Sequence, residues 1–309
     1  MALKVSNKGV YDGYQTAITI TGAKGKMTFS TKMNVAMDYD VNSDDGGSPS
    51  TCSVTLYNIS KAHLAKIHQR DHIVVETGPK DLYGQLTEGN ISKIAPEALD
   101  GRDKQTQITF VEGPDYSKDK RLYSKFNGSK LVKKSVKAGG KSITYTKRQV
   151  KRLNITFKKG VKAKQIIARI EREAKINIAV VRLKQNYTYK HGYTLNKKPL
   201  DALTAIAKRC GSVIFYRKGK LVIDDKQKEN LFSEHLYLTL GNGLISEPTY
   251  DDGDDGTATW TLECYEDPRL AAGSSVYVKS TQLDGLYRVK SVEQTHDHDT
   301  YNMEVVIYA

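Results

Sequence analysis

The chain has 309 residues, a net charge of +13 and 39% hydrophobic residues. This length suffices for two or three domains, and the composition excludes a disordered chain. No run approaches the ~18 consecutive apolar residues that a membrane helix needs, and the first residues lack the order of a signal peptide, which predicts a cytoplasmic protein without membrane association. Cys52, Cys210 and Cys264 are odd in number, far apart and flanked by apolar residues. They are predicted to be buried free thiols, not disulfides or zinc ligands.

The positive charge is concentrated in one stretch. Residues 118–164 contain 17 basic residues and one acidic residue, Asp119. The rest of the chain is therefore close to neutral. A single basic stretch favours a local partner surface over general attraction to polyanions.

Strand patterns dominate the first third of the chain. Residues 27–41 alternate between apolar and polar, which predicts one long strand with a buried face. The alternation resumes at Cys52, Val54 and Leu56 after a loop, so the two strands are expected to pair as a hairpin.

A short helix and further strands are predicted next. Ser60 is a suitable N-cap for a helix over residues 61–70. Residues 73–76, 85–94 and 106–111 have strand patterns bounded by glycine-containing turns. Residues 1–112 are therefore predicted to form a β-barrel or sandwich that carries one helix.

Residues 113–152 lack clear periodicity and are rich in Lys, Gly and Ser. We interpret them as a basic connector, extended or loosely structured, that leads into the next domain.

Residues 153–230 combine helices with strands. Ala163, Ile166, Ile167 and Ile170 share one face of a predicted helix, and Pro199 begins a second helix. The remaining patterns predict strands at 153–157 and 176–181 and a closing hairpin from 213 to 224. This middle domain is therefore predicted to be α+β.

Residues 231–309 return to strand alternation, at 258–264, 276–278 and 301–307. The predicted fold class is mixed β and α+β, with two β-barrel or sandwich domains flanking a smaller α+β middle domain. The outer domains have similar strand alternation, which favours a common fold, although the sequence contains no repeat that proves it.

No motif indicates an enzyme, a cofactor or a metal site. The acidic run at 251–256 has Gly253 where a calcium loop needs a carboxylate, and Leu262 where it needs Glu. The cluster His296, Asp297, His298 and Asp299 is typical of a hydrated hairpin tip, because neighbouring residues of a strand point to opposite faces. A metal-dependent cell-wall hydrolase using His296, His298 and Asp299 is kept as an alternative.

The basic stretch also permits a second alternative. Its cations alternate with Tyr116, Tyr123, Phe126 and Tyr145, a mixture that could track a nucleic-acid backbone. The same residues could instead form a solvated face or dock an acidic neighbour in an assembly.

Several segments, taken in order, resemble a known family. They are residues 54–60 (VTLYNIS), 86–94 (LTEGNISKI), 155–160 (ITFKKG), 211–223 (GSVIFYRKGKLVI) and 268–278 (PRLAAGSSVYV). Together they look like the baseplate hub proteins of tailed phages and phage-tail-like particles, most closely the XkdQ-like group. The similarity spans nearly the whole chain, and its specificity comes from the order of the segments.

The resemblance implies a structural protein of the virion baseplate, assembled in the host cytoplasm, with no catalytic role and no cofactor. It implies a homotrimer whose two tail-tube-like β domains per subunit form a pseudo-sixfold ring that adapts the sixfold tail tube to the threefold spike. The implied partners are the tail tube protein, a spike, cell-puncturing or adaptor protein, the tape measure protein, the baseplate wedge proteins and DNA in transit through the channel.

The basic stretch is more positive than this resemblance implies, and no lysozyme or peptidase domain is attached. Cell-wall cutting is therefore expected to belong to another protein. The predicted partner-contact residues are Lys133, Lys134, Arg148, Lys151 and Arg152.

Overall fold

A computed structural model describes residues 11–138, 141–225, 236–253, 257–298 and 300–309. The chain divides into two compact units. The first unit comprises residues 1–115, 177–184 and 211–309, and the second unit comprises residues 116–176 and 185–210.

The N-terminal part of the first unit is an antiparallel sheet. Its strands are β1 (Gln15–Gly22), β2 (Gly25–Ser30), β3 (Met37–Asp44), β4 (Thr51–Tyr57), β5 (His72–Gly78), β6 (Gly84–Ile94), β7 (Ala98–Asp100) and β8 (Asp103–Glu112). They are ordered β2-β1-β5-β6-β8-β4-β3, and β7 pairs with β8. Alternate residues such as Val54 and Leu56 are fully buried in a core that all the longer strands share, as the period-two pattern requires.

Two details of this sheet differ from the prediction. The single strand over 27–41 is wrong, because a 3₁₀ turn at Thr31–Met33 separates β2 from β3 and Asn34 follows it with φ 55°. Alternation alone cannot reveal such a break, since both pieces keep their apolar residues on the core side. The hairpin of β3 with β4 is confirmed.

The helix α1 (Lys61–Leu64) is shorter than the predicted span of residues 61–70. The Ser60 cap is confirmed, because its hydroxyl oxygen accepts the backbone N–H of His63 at 3.2 Å.

The C-terminal part of the first unit is a second sheet. Its strands are β17 (Leu236–Leu240), β18 (Gly243–Leu244), β19 (Thr249–Asp251), β20 (Thr259–Tyr265), β21 (Ser275–Lys279), β22 (Asp284–Asp297) and β23 (Thr300–Tyr308). The pairs β17-β21, β21-β22, β22-β23, β23-β20, β20-β18 and β18-β17 close into a circle around a separate apolar core. The sheet is therefore a small closed barrel, with β19 added outside β20.

A three-stranded sheet completes the first unit. It consists of β12 (Ile178–Val181), β15 (Ser212–Arg217) and β16 (Lys220–Asp225). β15 and β16 form the predicted hairpin, and β12 runs parallel to β16.

The second unit contains the two longer helices. They are α2 (Ala163–Ala174) and α3 (Pro199–Arg209), as predicted. The isoleucine face of α2 is buried, and so are Leu200 and Leu203 of α3. A short 3₁₀ turn (Tyr116–Lys118) and the small strands β11 (Val161–Lys162), β13 (Thr188–Tyr189) and β14 (Tyr193–Leu195) accompany them.

The basic segment is a regular hairpin of β9 (Tyr123–Ala138) and β10 (Lys141–Phe157). The expectation of loose structure is wrong for most of residues 113–152. Sequence reasoning missed the hairpin because none of the described side chains from residue 123 to 152 is buried, so no period-two pattern arises there; Leu131, for example, is 70% exposed. Gly128, with φ 75°, lies where the register of β9 against β10 shifts.

The chain is mostly β with two packed helices, and the predicted mixed class is confirmed. The linear boundaries at residues 112, 152 and 230 stay predictions. Cys52, Cys210 and Cys264 are buried free thiols, as predicted, and burial raises the pKa of Cys52 to about 12. In the described ranges, no helix combines the length and apolar composition that crossing a membrane requires.

Candidate functional site

The two sheets of the first unit are joined edge to edge. β3 pairs with β22 in antiparallel register from Tyr39 opposite His296 to Asp44 opposite Ser291. The Asp45 N–H extends this ladder by donating to the Lys290 carbonyl at 3.1 Å. The N-terminal and C-terminal strands therefore form one continuous sheet. We call this β3-β22 contact the internal junction.

The two sheets also share an arrangement. β19, β20, β21, β22 and β23 occupy the same order as β3, β4, β5, β6 and β8, and every corresponding neighbouring pair is antiparallel. β17 and β18 take the places of β1 and β2, but β17 runs parallel to β21 whereas β1 runs antiparallel to β5. The likeness therefore covers five strands in order and direction.

A buried polar cluster lies beside the internal junction. The Tyr39 hydroxyl donates to the Glu266 carboxylate, and the Tyr14 hydroxyl donates to the Glu266 carbonyl at 2.8 Å. The His296 ring stacks on the Tyr301 ring, with centroids 3.9 Å apart. Burial raises the pKa of Glu266 to about 7, against the opposing effect of the Tyr39 hydrogen bond.

A second buried carboxylate lies at the end of β8. The Gly219 N–H donates to Oε1 of Glu112 at 3.0 Å. Burial raises the pKa of Glu112 to about 7, because the cost of desolvating the charge exceeds the gain from this hydrogen bond. Oε2 of Glu112 and Oε1 of Glu266 have no hydrogen-bond partner within the described part of the chain.

The hairpin of β15 and β16 contacts both sheets. On the N-terminal side, Lys218 Nζ donates to the Gln85 carbonyl at 2.9 Å. On the C-terminal side, Arg217 donates to the carbonyls of Ala271 and Ala272 at 3.2 and 3.1 Å. Because each side of the internal junction supplies partners, this hairpin braces the two sheets against each other.

Asp224 of the same hairpin is fully buried between two arginines. Its carboxylate lies 2.6 Å from Nε of Arg182 and 3.1 Å from an N–H group of Arg288 on β22. A buried carboxylate needs such partners to offset the loss of water. The Arg288 ion pair ties the hairpin to the C-terminal sheet, whereas the Arg182 ion pair lies within the three-stranded sheet.

An open cavity of about 600 Å³ lies on one side of the internal junction, lined among others by Tyr14, Asp38, Tyr57, His298 and Tyr301. At its rim, ligand atoms of Asp38, Asp297 and His298 lie within 4.8 Å of one another, a spacing that a metal ion could bridge. All three side chains are at least partly exposed, and His298 Nδ1 is hydrogen-bonded to Asp297 at 2.6 Å.

The sequence-based hydrolase hypothesis named a different set, His296, His298 and Asp299, of which the structure describes the two histidines. His296 is buried in β22, where its Nδ1 lies 2.8 Å from the Thr300 carbonyl, so the expectation of a fully hydrated tip is wrong for this residue. His298 is exposed at the turn, and Asp299 lies outside the described residues. Asp254, Asp255 and Gly256 of the acidic run also lie outside them.

The predicted partner-contact residues lie on the basic hairpin. Lys133, Lys134, Arg148 and Arg152 are exposed, and Lys151 lies on β10 with a side chain outside the described part. In the register of the hairpin, Lys133 and Arg148 share one face, whereas Lys134 is opposite Tyr145 on the other. The cations are thus spread over both faces.

Sequence reasoning missed the residues that join the sheets. Glu112, Asp224 and Glu266 each end or follow an apolar strand, where a charged residue is normally the start of a solvated turn. Their burial arises from tertiary packing between segments far apart in sequence. The one available signal was Asp224 and Asp225 directly after the buried run of β16.

No family model matches the chain, and no curated protein matches it. Several solved structures share its fold, and three of them are compared with it. A tail protein from Neisseria meningitidis has a TM-score of 0.59 at 10% identity, covering 95% of this chain and 96% of its own. A 43 kDa tail protein of prophage MuSo2 from Shewanella oneidensis has a TM-score of 0.61 at 11% identity, covering 96% of each chain.

The third structure is an Escherichia coli component of the type VI secretion system, described as structurally similar to the bacteriophage T4 tail proteins gp27 and gp5. Its TM-score is 0.58 at 10% identity, and the match covers 94% of this chain and 76% of that one. At these identities the likeness establishes the fold. The chain therefore has the fold of phage tail proteins, and the resemblance to tail and baseplate hub proteins is confirmed at that level.

Proposed function

We propose that this chain is the structural hub of a phage-type tail baseplate, in which three copies close a ring that adapts a sixfold tube to a threefold spike. The observation that carries the proposal is the internal junction between two sheets of the same strand order. Each chain thereby supplies two copies of one arrangement, side by side. Three chains supply six, and a head-to-tail contact whose rotation closes produces a ring instead of a filament.

The role follows from symmetry matching, not from catalysis. A ring with six similar sheets offers a sixfold surface to a tail tube, while its three identical chains offer a threefold surface to a spike or adaptor protein. The channel through the ring would pass the tape measure protein and then DNA. Wedge proteins would bind at the outside, and the location would be the virion baseplate. The resemblance stated from the sequence and the shared fold with tail proteins support this assignment.

The experiment is a mass measurement of the purified full chain by sedimentation and native mass spectrometry, with negative-stain imaging of the same sample. Trimers that appear as rings with a central channel are the expected result. A chain that stays monomeric at all concentrations, both alone and with its tail tube protein, would overturn the proposal.

The basic hairpin is proposed as the contact to an acidic surface of another tail protein. Residues 123–157 contain no Asp or Glu to neutralise the exposed cations of this hairpin, and the strands are long enough to reach ~50 Å at ~3.4 Å per residue. Lys133, Lys134, Arg148, Lys151 and Arg152 are the residues assigned to this contact.

A nucleic-acid-binding role is the second candidate, favoured by the spread of cations over both faces of the hairpin. Such binding would weaken steeply with salt. Fluorescence anisotropy with single- and double-stranded DNA at 50 and 200 mM salt separates the two roles. Strong binding at low salt that is lost in a Lys133→Ser/Lys134→Ser/Arg148→Ser variant would favour the nucleic-acid role, whereas no binding favours the protein contact.

A further inference from the structure

We infer that β19 of one copy pairs with the segment between β6 and β7 of the next copy, in the register of the internal junction. The inference rests on the proposed ring and names the strands that would close it. It follows from an equivalence within this chain. The internal junction pairs β3 with β22, and the strands that correspond to these two in the other sheet, β19 and the end of β6, are left open.

The equivalence is defined residue by residue. β6 has an extra residue against β8 at Ser92, and β22 has one against β23 at Lys290. The paired residues nearest the C-terminal end also correspond: on β6 this is Asn90, opposite His72 of β5, and on β22 it is Arg288, opposite Ser275 of β21. Both observations give the same offset between β6 and β22.

The same procedure places β19 on β3. Val54 pairs with Ile108 as Leu262 pairs with Val305, which aligns β4 with β20. β19 pairs with β20 as β3 pairs with β4. Comparing these two pairs shows that Thr249–Asp251 corresponds to residues 40–42 of β3. These are central residues of the internal junction, where residues 40–42 lie opposite residues 293–295 of β22.

The predicted register between copies follows directly. Residues 293–295 of β22 correspond to 95–97, so Asp251 would lie opposite Ala95, Tyr250 opposite Pro96 and Thr249 opposite Glu97. Within the described residues, β19 is hydrogen-bonded only to β20, and no strand pairs with 95–97 on the side away from β8. Both edges are thus open in the described part of the chain.

Exposure of apolar and charged groups agrees with this assignment. Val41 is buried at the internal junction, whereas its counterpart Tyr250 is 50% exposed on the open edge, and Leu99 beyond the other edge is 74% exposed. Lys93 would lie diagonally across from Asp251, within reach of a long side chain. The acidic end of β19 therefore has a basic residue on one diagonal, while Glu97 on the other diagonal lies 3.7 Å from Lys104 of its own chain.

One difference limits the strength of the contact. Pro96 stands where Gln294 stands in the internal junction, and proline has no N–H to donate. The contact between copies would therefore lack one backbone hydrogen bond that the internal junction can make. The contact with fewer hydrogen bonds is the one that forms between separate chains. The contact with more hydrogen bonds is the internal junction, which forms once, when the chain folds.

A pair of cysteines tests the register. In the internal junction, Asp45 donates to Lys290, so by alternation Asn42 and Glu293 form a non-hydrogen-bonded pair, whose Cα atoms lie ~4.5 Å apart. That distance is within the range for a disulfide. The corresponding pair between copies is Ala95→Cys with Asp251→Cys. The native thiols do not compete, because all three are buried.

Mild oxidation of the A95C/D251C variant should give covalent dimers and trimers on a denaturing gel that disappear on reduction. The matched N42C/E293C variant should give a disulfide within one chain, without any change in oligomer mass. Each single-cysteine variant and the register-shifted P96C/D251C pair should stay uncrosslinked, because the shifted pair places its side chains on opposite faces.

The outcomes separate this inference from the proposed function. Wild-type trimers in solution, with A95C/D251C uncrosslinked while N42C/E293C crosslinks, would overturn the strand assignment and leave the ring standing. Crosslinked dimers that never close to a trimer would support the strand contact and overturn the ring. A monomeric wild-type chain with no crosslink would overturn both.

Discussion

The N-terminal and C-terminal sheets have the same order over five strands, yet they differ at their edges. The C-terminal sheet closes on itself through β18 and β20, while the N-terminal sheet uses its edge strand β3 to pair with β22. The comparison shows that a strand order can be kept while the edges are assigned to different partners. Edges left open in one chain must be covered or kept short, because an exposed edge is a template for pairing.

The largest effect is expected from removing the anion that ties the bracing hairpin to the C-terminal sheet. Asp224→Ala leaves Arg182 and Arg288 without their shared carboxylate in a buried position. Breaking a buried ion pair in this way costs about 3–5 kcal/mol. Chemical denaturation measures the loss, and Asp201→Ala on the exposed side of α3 is the matched control. A loss below 1 kcal/mol would show that the Asp224 ion pairs do not hold the hairpin to the C-terminal sheet.

Core leucines on corresponding strands, although not at corresponding positions, test whether the two sheets unfold together. Leu56 on β4 and Leu262 on β20 are fully buried in separate cores. Each Leu→Ala change is expected to cost about 2–5 kcal/mol. Because the internal junction makes one sheet, both variants should lower a single calorimetric transition. Two transitions, each sensitive to one variant only, would contradict a continuous unit.

The buried carboxylates predict a dependence of stability on pH. The pKa values of Glu112 and Glu266 are about 7 in the folded chain and about 4.5 when unfolded. The folded state therefore binds more protons at these two groups, so the stability that they contribute is fully present below pH ~4.5 and is lost as pH rises through ~7.

Glu266→Gln should remove the part of this fall that Glu266 causes. That part is about 3 kcal/mol between these pH values, at 1.36 kcal/mol per pKa unit. Free energies of unfolding at pH 4.5, 6 and 7.5 measure it, with exposed Glu173→Gln on α2 as control. Parallel pH profiles for wild type and E266Q would contradict the raised pKa.

The smallest effect on stability is expected in the basic hairpin. Lys133→Ser/Lys134→Ser changes exposed side chains, for which the cost is within about 0.5 kcal/mol. Binding to an acidic tail partner should weaken while the midpoint of thermal unfolding stays unchanged. A large drop in that midpoint would mean that these lysines stabilise the fold.

The sequence predicted the parts of the fold in which one face of an element is buried. β4, β20, β23 and the two long helices follow from spacing alone, because burial imposes a period of two or 3.6 residues. The described side chains of the basic hairpin from residue 123 to 152 are not buried, and this segment left no such signal. The sequence pattern did not predict the internal junction either, since the pairing between residues 39–44 and 291–296 is set by tertiary contacts.

The functional residues divide in the same way. The exposed cations of residues 118–164 were visible as composition. Glu112, Asp224 and Glu266 were not, because a buried charge looks in sequence like an ordinary turn residue until its partners are known.

The extra residues Ser92 and Lys290 have a consequence for the size of the proposed ring. A bulge bends its strand and increases the local twist, and here it occurs at the same place in both sheets. The curvature of the assembly would then depend on one inserted residue per repeat. Deleting Lys290 would change the angle from one repeat to the next, and with it the number of repeats that complete a circle.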